Sequence, residues 1–262
     1  MILAAALALF SSVTVFAQSV ALPPRENFHL FLLVGQSNMA GRGVVTAEDK
    51  TPHARVLMLN KAGEWVPAVD PLHFDKPNAA GVGLGRSFAG AVAEANPDIT
   101  VGLIPCAVGG SPIDAWKPGE YYQPTQSHPW DDAIRRAKLA QLSGTLRGIL
   151  WHQGESDANQ RLAGSYETKL HDLVAQFRRE LNAPAVPFIV GQLGQFAGAP
   201  WNEFKRQIDQ AHRDLPRKVP HTAYVSSEGL TDKGDKVHFN ANSYHEFGRR
   251  YAEAYRKLTR AK

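Results

Sequence analysis

Short apolar runs alternate with longer segments in which apolar residues recur every three or four positions. Because the runs are apolar at successive positions, they are typical of strands covered by helices on both faces. We predict strands at residues 28–34, 99–104, 146–151, 187–191 and 222–225, and helices at residues 83–95, 131–142, 163–181, 201–215 and 243–258. This alternation predicts an α/β fold, a three-layer α/β/α sandwich around a central five-stranded parallel sheet.

The segment 41–78 interrupts this alternation. It is rich in Pro, His and Asp, and its only strand-like features are residues 56–59 and 65–67, which suggest a small hairpin. In doubly wound sheets the ligand crevice lies at the carboxyl ends of the strands. We therefore expect chemistry directly after each predicted strand, with the segment 41–78 passing over it.

The first seventeen residues differ from the rest of the chain. They are almost wholly apolar, they end in Val15-Phe16-Ala17, and the first charge is Arg25. The run is too short to span a bilayer comfortably and suits a cleaved secretion signal. We predict a signal peptide at 1–17, a secreted or periplasmic protein, no membrane insertion after cleavage, and a single domain at 18–262. A buried N-terminal helix is the alternative.

Composition and charge narrow the class of protein. The chain has 262 residues, 44% of them hydrophobic and 21% charged, which is ordinary for one globular domain. Cys106 is the only cysteine, so no internal disulfide forms, and its apolar neighbours predict a buried, inert thiol. The net charge of +4 is scattered without a basic stripe between aromatic residues, which argues against a nucleic-acid partner.

Ser37 follows the first predicted strand in the run Gly35-Gln36-Ser37-Asn38-Met39. Gly35 permits a sharp turn that would place Ser37 at the sheet edge near a helix N-terminus. There its hydroxyl can act as a nucleophile and its N–H can face a developing oxyanion. The alternative is that Ser37 only caps the helix.

Two further blocks follow the next two predicted strands. Gly109 and Gly110 let backbone N–H groups approach a substrate oxygen, although a plain turn explains the pair equally well. In the run from His152 to Asp157, Gln153 can donate a side-chain N–H to the oxyanion and Glu155 can position a histidine. The alternative for this run is a capping box.

The last predicted strand is followed by Asp235-Lys236-Val237-His238. With this spacing, His238 and Asp235 can share one loop or helical turn. His238 would accept the Ser37 proton, while Asp235 would orient the imidazole and stabilise the imidazolium.

These four blocks resemble the SGNH (GDSL-type) hydrolase superfamily, and within it carbohydrate esterase family 6 and sialate O-acetylesterase-like proteins. The matching residues are Gly35-Gln36-Ser37-Asn38-Met39, Gly109-Gly110-Ser111, His152-Gln153-Gly154-Glu155 and Asp235-Lys236-Val237-His238-Phe239. The resemblance implies a flavodoxin-like three-layer fold and metal-free ester hydrolysis through an acyl-enzyme, with no cofactor.

The resemblance also implies the site residues. Ser37 is the expected nucleophile, His238 the base and Asp235 its acidic partner. The expected oxyanion donors are the amides of Ser37 and of Gly109 or Gly110, with the Gln153 side chain. The superfamily usually has an asparagine where this chain has Gln153, as this esterase branch does.

Several further roles remain open at this point. Glu155 is the alternative acid or a supporting residue behind the triad. Gln36, Asn38 and Trp116 are weaker candidates for substrate contact. The aromatic side chains of Trp116, Tyr121, Tyr122 and Trp130 can either stack on sugar rings or pack in the interior.

We predict an activity that removes acetyl groups from a carbohydrate, above all from acetylated xylan. Sialic acid deacetylation and lipid-ester hydrolysis are alternatives on the same scaffold, and a non-catalytic carbohydrate-binding protein is an alternative of a different class. An ordinary α/β-hydrolase is excluded because no G-x-S-x-G elbow is present. The run His152-Gln153-Gly154-Glu155 lacks a second histidine at H-E-x-x-H spacing, which argues against a metalloenzyme.

Overall fold

The computed structural model describes residues 21–260, and within them seven strands form one sheet. The strand order across the sheet is β3-β2-β4-β1-β5-β6-β7. The strands are β1 (Phe28–Gly35), β2 (Val56–Leu59), β3 (Trp65–Pro67), β4 (Thr100–Pro105), β5 (Thr145–His152), β6 (Phe188–Gly191) and β7 (Thr222–Val225).

The centre of the sheet is parallel, as the apolar runs predict. β1 lies between β4 and β5 and pairs in parallel with both, and β5, β6 and β7 continue in the same direction. The pairing of Gly35 with His152 brings the carboxyl ends of β1 and β5 side by side. The polar blocks that follow these strands therefore meet at one edge of the sheet.

The sheet has two strands more than the five parallel strands predicted, β2 and β3. The expected hairpin at 56–59 and 65–67 joins the same sheet, because β2 pairs in parallel with β4. All four residues of β2 are buried. β3 then runs antiparallel to β2 and makes the sheet mixed. A buried strand needs backbone partners on both sides, which explains why β2 lies between β4 and β3 instead of remaining a separate hairpin.

Six α-helices accompany this sheet within the described part of the chain. They are α1 (Ser37–Ala40), α2 (Gly85–Glu94), α3 (Pro129–Ala140), α4 (Tyr166–Glu180), α5 (Glu203–Lys218) and α6 (Ala241–Arg260). Helix α3 illustrates the local cause, since Pro129 stands at its first position and Asp131 and Asp132 lie in its first turn.

The helices cover both faces of the sheet and so make three layers. In β1, Leu30, Leu32 and Val34 point into a core shared with α3, α4 and α5. The alternate residues Phe31 and Leu33 point into a second core shared with α2 and α6. This alternation follows from the two-residue period of a strand.

The signal peptide predicted at residues 1–17 lies outside the described residues. Between residues 21 and 260, no helix has both the length and the apolar character needed to cross a bilayer. Cys106 is buried at the end of β4, and this burial raises the pKa of its thiol to about 11. The thiol is therefore protonated at neutral pH, in agreement with the inert cysteine expected from the sequence.

Candidate active site

Ser37 is the first residue of α1, directly beyond the end of β1. Gly35 adopts a φ of +129°, and a Cβ atom on it would lie 2.2 Å from the carbonyl oxygen of His152. Only glycine fits this approach, which turns the chain sharply at the sheet edge. Because Ser37 is the first helical residue, its N–H has no acceptor within α1 and points out of the helix end.

Ser37, His238 and Asp235 form a chain of hydrogen bonds. The Oγ of Ser37 lies 3.0 Å from Nε2 of His238, and Nδ1 of His238 lies 2.7 Å from Oδ2 of Asp235. The Ser37 side chain is nearly buried, whereas His238 and Asp235 retain partial solvent access. This geometry allows Nδ1 to donate to the carboxylate while Nε2 accepts from the serine hydroxyl.

The loop between β7 and α6 holds Asp235 in place. Its Oδ1 accepts the backbone N–H groups of Val237 at 3.0 Å and His238 at 2.8 Å. Burial alone would raise the pKa of Asp235, but the hydrogen bonds from His238 and Val237 hold it well below its usual range. Asp235 is therefore ionised at neutral pH and carries the negative charge that an imidazolium needs.

Glu155 lies behind the triad and does not contact His238 by a hydrogen bond. Its Oε1 accepts from Nδ2 of Asn38 at 2.6 Å and lies 3.6 Å from Nε2 of His152. Burial would raise the pKa of Glu155, but His152 and Asn38 lower it to about 2. Glu155 thus supports the residue next to Ser37, whereas Asp235 contacts the imidazole.

Asn38 was expected to contact substrate, and the structure corrects this expectation. The side chain is fully buried. Nδ2 donates to Glu155 and to the Val237 carbonyl, and Oδ1 accepts from the Tyr244 hydroxyl at 2.7 Å and from the Phe239 N–H. Asn38 therefore ties the nucleophile segment to the loop that carries His238, because its polar atoms are committed to both.

The Gly109-Gly110 turn lies beside the nucleophile, because the Val108 N–H donates to the carbonyl of Gly35. The Gly109 N–H donates to Oδ2 of Asp75 at 2.7 Å, so in this conformation it is not available to an oxyanion. The Gly110 N–H has no hydrogen-bond partner among residues 21–260. Of the two glycines, Gly110 has the amide that remains free to bind substrate.

Gln153 is also committed to the interior. Its fully buried Nε2 lies 3.2 Å from Oε1 of Gln36, 3.1 Å from the Ser111 carbonyl and 2.5 Å from Oδ2 of Asp157. An amide NH₂ has two hydrogens, and these three acceptors leave none for a substrate oxygen. In this conformation Gln153 therefore connects the loops that follow β1 and β5, and its Nε2 has no hydrogen left for an oxyanion.

Trp116 and Gln36, which were expected to contact substrate, are both buried and hydrogen-bonded within the protein. Trp116 packs edge-on against Trp151 at 5.2 Å, and its Nε1 donates to the Ser111 hydroxyl. Gln36 is nearly buried, and its Oε1 accepts from Gln153. Trp116 was expected to contact a sugar, but the structure shows it packed in the core. Gln36 lies against Gln153 and orients it through this hydrogen bond.

The remaining aromatic candidates divide between core and surface. Trp130 packs against Phe177 with the ring centroids 4.5 Å apart. Tyr121 is half exposed, and the hydroxyl of Tyr122 lies 3.1 Å from the position of a Cβ on Gly110. Tyr122 is therefore the aromatic side chain that approaches the candidate oxyanion turn.

Sequence reasoning missed Asp75 and Arg42. The Nη2 atom of Arg42 donates to Oδ2 of Asp75 at 2.8 Å, and both side chains are nearly buried. Asp75 lies in the segment 41–78, which was expected to pass over the site, and it does so at Gly109. The available signal was the Gly-Arg-Gly run at 41–43, close after Ser37. Within residues 21–260, no three His, Cys, Asp or Glu side chains are grouped to hold a metal ion.

Comparison with known proteins identifies a family whose sequence model matches almost the whole described part of the chain. The family model described as "Carbohydrate esterase, sialic acid-specific acetylesterase" matches residues 27–257. A probable carbohydrate esterase of Arabidopsis thaliana is 32% identical over 254 residues, which cover 89% of this chain and 91% of that protein.

Solved structures agree with the architecture. An Arabidopsis thaliana protein superposes with a TM-score of 0.77 at 30% identity, over 90% of this chain and 99% of that chain. NanS superposes at 0.71 and 17% identity, over 92% and 100% of the two chains. A carbohydrate acetylesterase from Xanthomonas citri superposes at 0.69 and 20% identity, over 89% and 57%. At these lower identities, the last two bear on the fold alone.

Proposed function

Because the chain belongs to the sialic acid-specific acetylesterase family of carbohydrate esterases, we propose that it removes O-acetyl groups from carbohydrates with Ser37 as nucleophile. Membership of this family makes it a carboxylic ester hydrolase. The observation that carries the assignment of Ser37 is its hydrogen-bonded connection through His238 to Asp235, with 3.0 Å and 2.7 Å between the bonded atoms.

The proposed reaction has two acyl-transfer steps. The Ser37 oxygen attacks the acetyl carbonyl as its proton passes to Nε2 of His238, and Asp235 stabilises the resulting imidazolium. The tetrahedral intermediate collapses, the sugar hydroxyl leaves with the proton from His238, and acetyl-Ser37 remains. Water then attacks the acyl-enzyme with His238 again as base, which releases acetate and restores the serine.

The oxyanion of each intermediate needs donors at the same place. We assign this role to the backbone N–H groups of Ser37 and Gly110, which lie at adjoining strand ends. In this assignment Asp75 and Gln153 hold the two loops that carry these donors, and Glu155 holds Asn38 beside the nucleophile.

The proposed substrate is an acetylated polysaccharide, with acetylated xylan as the first candidate. This proposal rests on the resemblance of the four sequence blocks to carbohydrate esterase family 6. The second candidate is an O-acetylated sialic acid, which the description of the matching family favours. The apolar run at residues 1–17 supports the proposal that the protein is exported to the periplasm or the medium.

Ser37→Ala tests the proposed activity. The wild-type protein should release acetate from an aryl acetate, from acetylated xylan or from acetylated sialic acid, and Ser37→Ala should abolish this release while the Tm stays near that of the wild type. Ser165→Ala, at an exposed position before α4, is the matched control and should retain full activity.

A serine-directed phosphonate separates an enzyme from a binding protein. The wild-type protein should lose activity and gain the mass of the phosphonyl group, whereas Ser37→Ala should gain none. Acetate release that persists in Ser37→Ala would remove this serine as nucleophile. Absence of hydrolysis and of labelling in the wild type would favour the non-catalytic carbohydrate-binding alternative.

A further inference from the structure

A cavity of about 300 Å³ opens at the carboxyl end of β4, beside the Gly109-Gly110 turn. Its wall includes Val108, whose N–H donates to Gly35, and Asp75, which accepts from Gly109. The cavity therefore adjoins both the nucleophile strand and the candidate oxyanion turn. Its volume lies at the small end of the range for ligand pockets and is sufficient for one sugar ring.

Three buried polar side chains of this cavity carry atoms without a partner among residues 21–260. They are Nδ1 and Nε2 of His73, Oδ1 of Asp75 and Nε of Arg136. All three side chains are more than nine-tenths buried. Leaving buried polar groups unpaired costs free energy, and the three side chains that carry these atoms line one cavity, which makes its wall polar.

The chemistry of these groups selects the ligand. Burial lowers the pKa of His73 to about 4, so at neutral pH its ring has one donor and one acceptor. Oδ1 of Asp75 only accepts, and Nε–H of Arg136 only donates. The lining carries both signs of charge, with Lys61, Arg135 and Arg136 on one side of the balance and Asp75 and Asp132 on the other. Neither an anion nor a cation is complemented throughout, whereas a hydroxyl group both donates and accepts. The wall therefore matches a neutral, hydroxyl-rich ring.

The wall is also rigid. The guanidinium group of Arg136 donates to the carbonyls of Leu59 and Asn60 and lies 4.8 Å from the centroid of the Phe74 ring. Asp75 is held by Arg42 and Gly109. Groups that are fixed before the ligand arrives lose little conformational entropy when it binds.

We propose that this cavity is a glycan subsite that binds one neutral pyranose unit, the neighbour of the unit whose acetyl group reaches Ser37. This inference rests on the proposed function and favours the first of its two substrates: a chain of at least two sugar units rather than a single acetylated sugar. Asp75 connects the two sites, because its Oδ2 accepts from the Gly109 N–H and its side chain lines the cavity.

The length dependence of hydrolysis tests the proposal. Acetylated oligosaccharides of two to six units from xylan, mannan and chitin are compared with their acetylated monosaccharides, with an aryl acetate as the common reference. The wild-type kcat/KM should rise ~10-fold or more from one unit to two for at least one series. Equal values for one and two units in every series would overturn the subsite.

Two variants test whether this rise in kcat/KM with chain length comes from the cavity. Thr125→Trp fills its partly exposed rim, and His73→Phe keeps the ring volume but removes both nitrogen atoms. Each should reduce the ratio of kcat/KM for the oligosaccharide to that for the aryl acetate by ~10-fold. Thr168→Trp, at an exposed position on α4, is the matched control and should leave the ratio unchanged. If kcat/KM still rises from one unit to two in Thr125→Trp, and the Tm is unaltered, the neighbouring sugar binds outside this cavity.

A binding measurement separates this proposal from the activity. Calorimetric titration of Ser37→Ala with the same acetylated oligosaccharides should show binding that weakens ~10-fold when Thr125→Trp is added. If the wild type hydrolyses no ester but this binding is present, the proposed function fails and the subsite stands. If hydrolysis is present and binding is insensitive to Thr125→Trp, the subsite fails alone.

Discussion

At the scale of single residues, Asp235 and Glu155 show how two nearby carboxylates differ in what they hold. Asp235 contacts the imidazole of His238 at 2.7 Å, whereas Glu155 contacts the amide of Asn38 at 2.6 Å. Both pKa values are lowered by hydrogen-bonded partners in spite of burial, so both groups are ionised at neutral pH. Only Asp235 is placed to stabilise a charge on His238 directly.

Asp235→Asn and Glu155→Gln compare these roles. Asp235→Asn should lower kcat by ~10²–10⁴-fold, because the charge opposite the imidazolium is lost. Glu155→Gln should lower it less, because its amide oxygen can still accept from Asn38. The measurement is kcat on an aryl acetate between pH 6 and 9. A larger fall for Glu155→Gln, with an unaltered Tm, would transfer the role of acid to Glu155.

Asp75 has a local role that the same kinetics can measure. Its Oδ2 holds both the Gly109 N–H and Arg42, which fixes the turn that presents Gly110. Asp75→Ala should therefore lower kcat by ~10-fold or more with a smaller change in KM, since a misplaced donor weakens the transition state above all. Asp75→Asn keeps an oxygen for Gly109 and should retain more activity. A rise in kcat in Asp75→Ala would mean that the carboxylate blocks Gly109 rather than orienting the turn.

At the scale of elements, the site depends on how closely β1 and β5 approach each other. Gly35 and His152 are paired at the ends of these strands, and only a residue without Cβ fits there. Gly90 provides a contrast within α2, where an added Cβ would meet nothing within 4 Å. Gly35 is therefore required by the close approach of two strands, whereas the position of Gly90 has room for a side chain.

Gly35→Ala and Gly90→Ala should change stability in opposite directions. Gly35→Ala forces a Cβ against the His152 carbonyl at positive φ and should lower the free energy of unfolding by about 1–3 kcal/mol or more. Gly90→Ala should raise it by about 0.4–1 kcal/mol, because alanine restricts the unfolded chain and fits the helix. Urea unfolding measures both. Equal effects would show that the sharp turn after β1 tolerates a side chain.

At the scale of the whole molecule, one buried carboxyl group couples stability to pH. Asp70 lies in the segment between β3 and α2, and burial raises its pKa to about 7 although Arg86 nearby opposes this. In the unfolded chain its pKa is about 3.8. Between about pH 4 and 7 the folded state therefore keeps this proton, whereas the unfolded chain loses it. The contribution of Asp70 to the free energy of unfolding is lost as the pH rises through that range.

Asp70→Asn should remove this dependence, because a neutral amide replaces the protonated carboxyl group. The Tm of the variant minus that of the wild type should increase from pH 5 to pH 8. The increase should be about 2–4 °C for each kcal/mol of unfolding free energy that the wild type loses over this range. The measurement is thermal unfolding at both values in the same ionic strength. A Tm difference that is constant with pH would show that Asp70 is ionised in the folded state throughout.

The parts of the fold that sequence predicted are those with a strong local pattern. The five apolar runs became β1, β4, β5, β6 and β7, because a strand buried on both faces must be apolar throughout. The predicted helix ends differ from the observed ones by a few residues, as at α3, which begins at Pro129 rather than Asp131. The strands β2 and β3 were predicted as a hairpin but not as part of the main sheet, because pairing between distant segments has no local signal.

The same division applies to the candidate site. The sequence by itself determined that Ser37, Gly109-Gly110, Gln153 and Asp235-His238 follow successive strands, and parallel strands bring such blocks to one edge. Tertiary structure decided which polar atoms remain free there. Asp75 takes the Gly109 N–H, and three acceptors take the Gln153 amide. Those contacts join residues far apart in the chain, and only packing in three dimensions sets their distances.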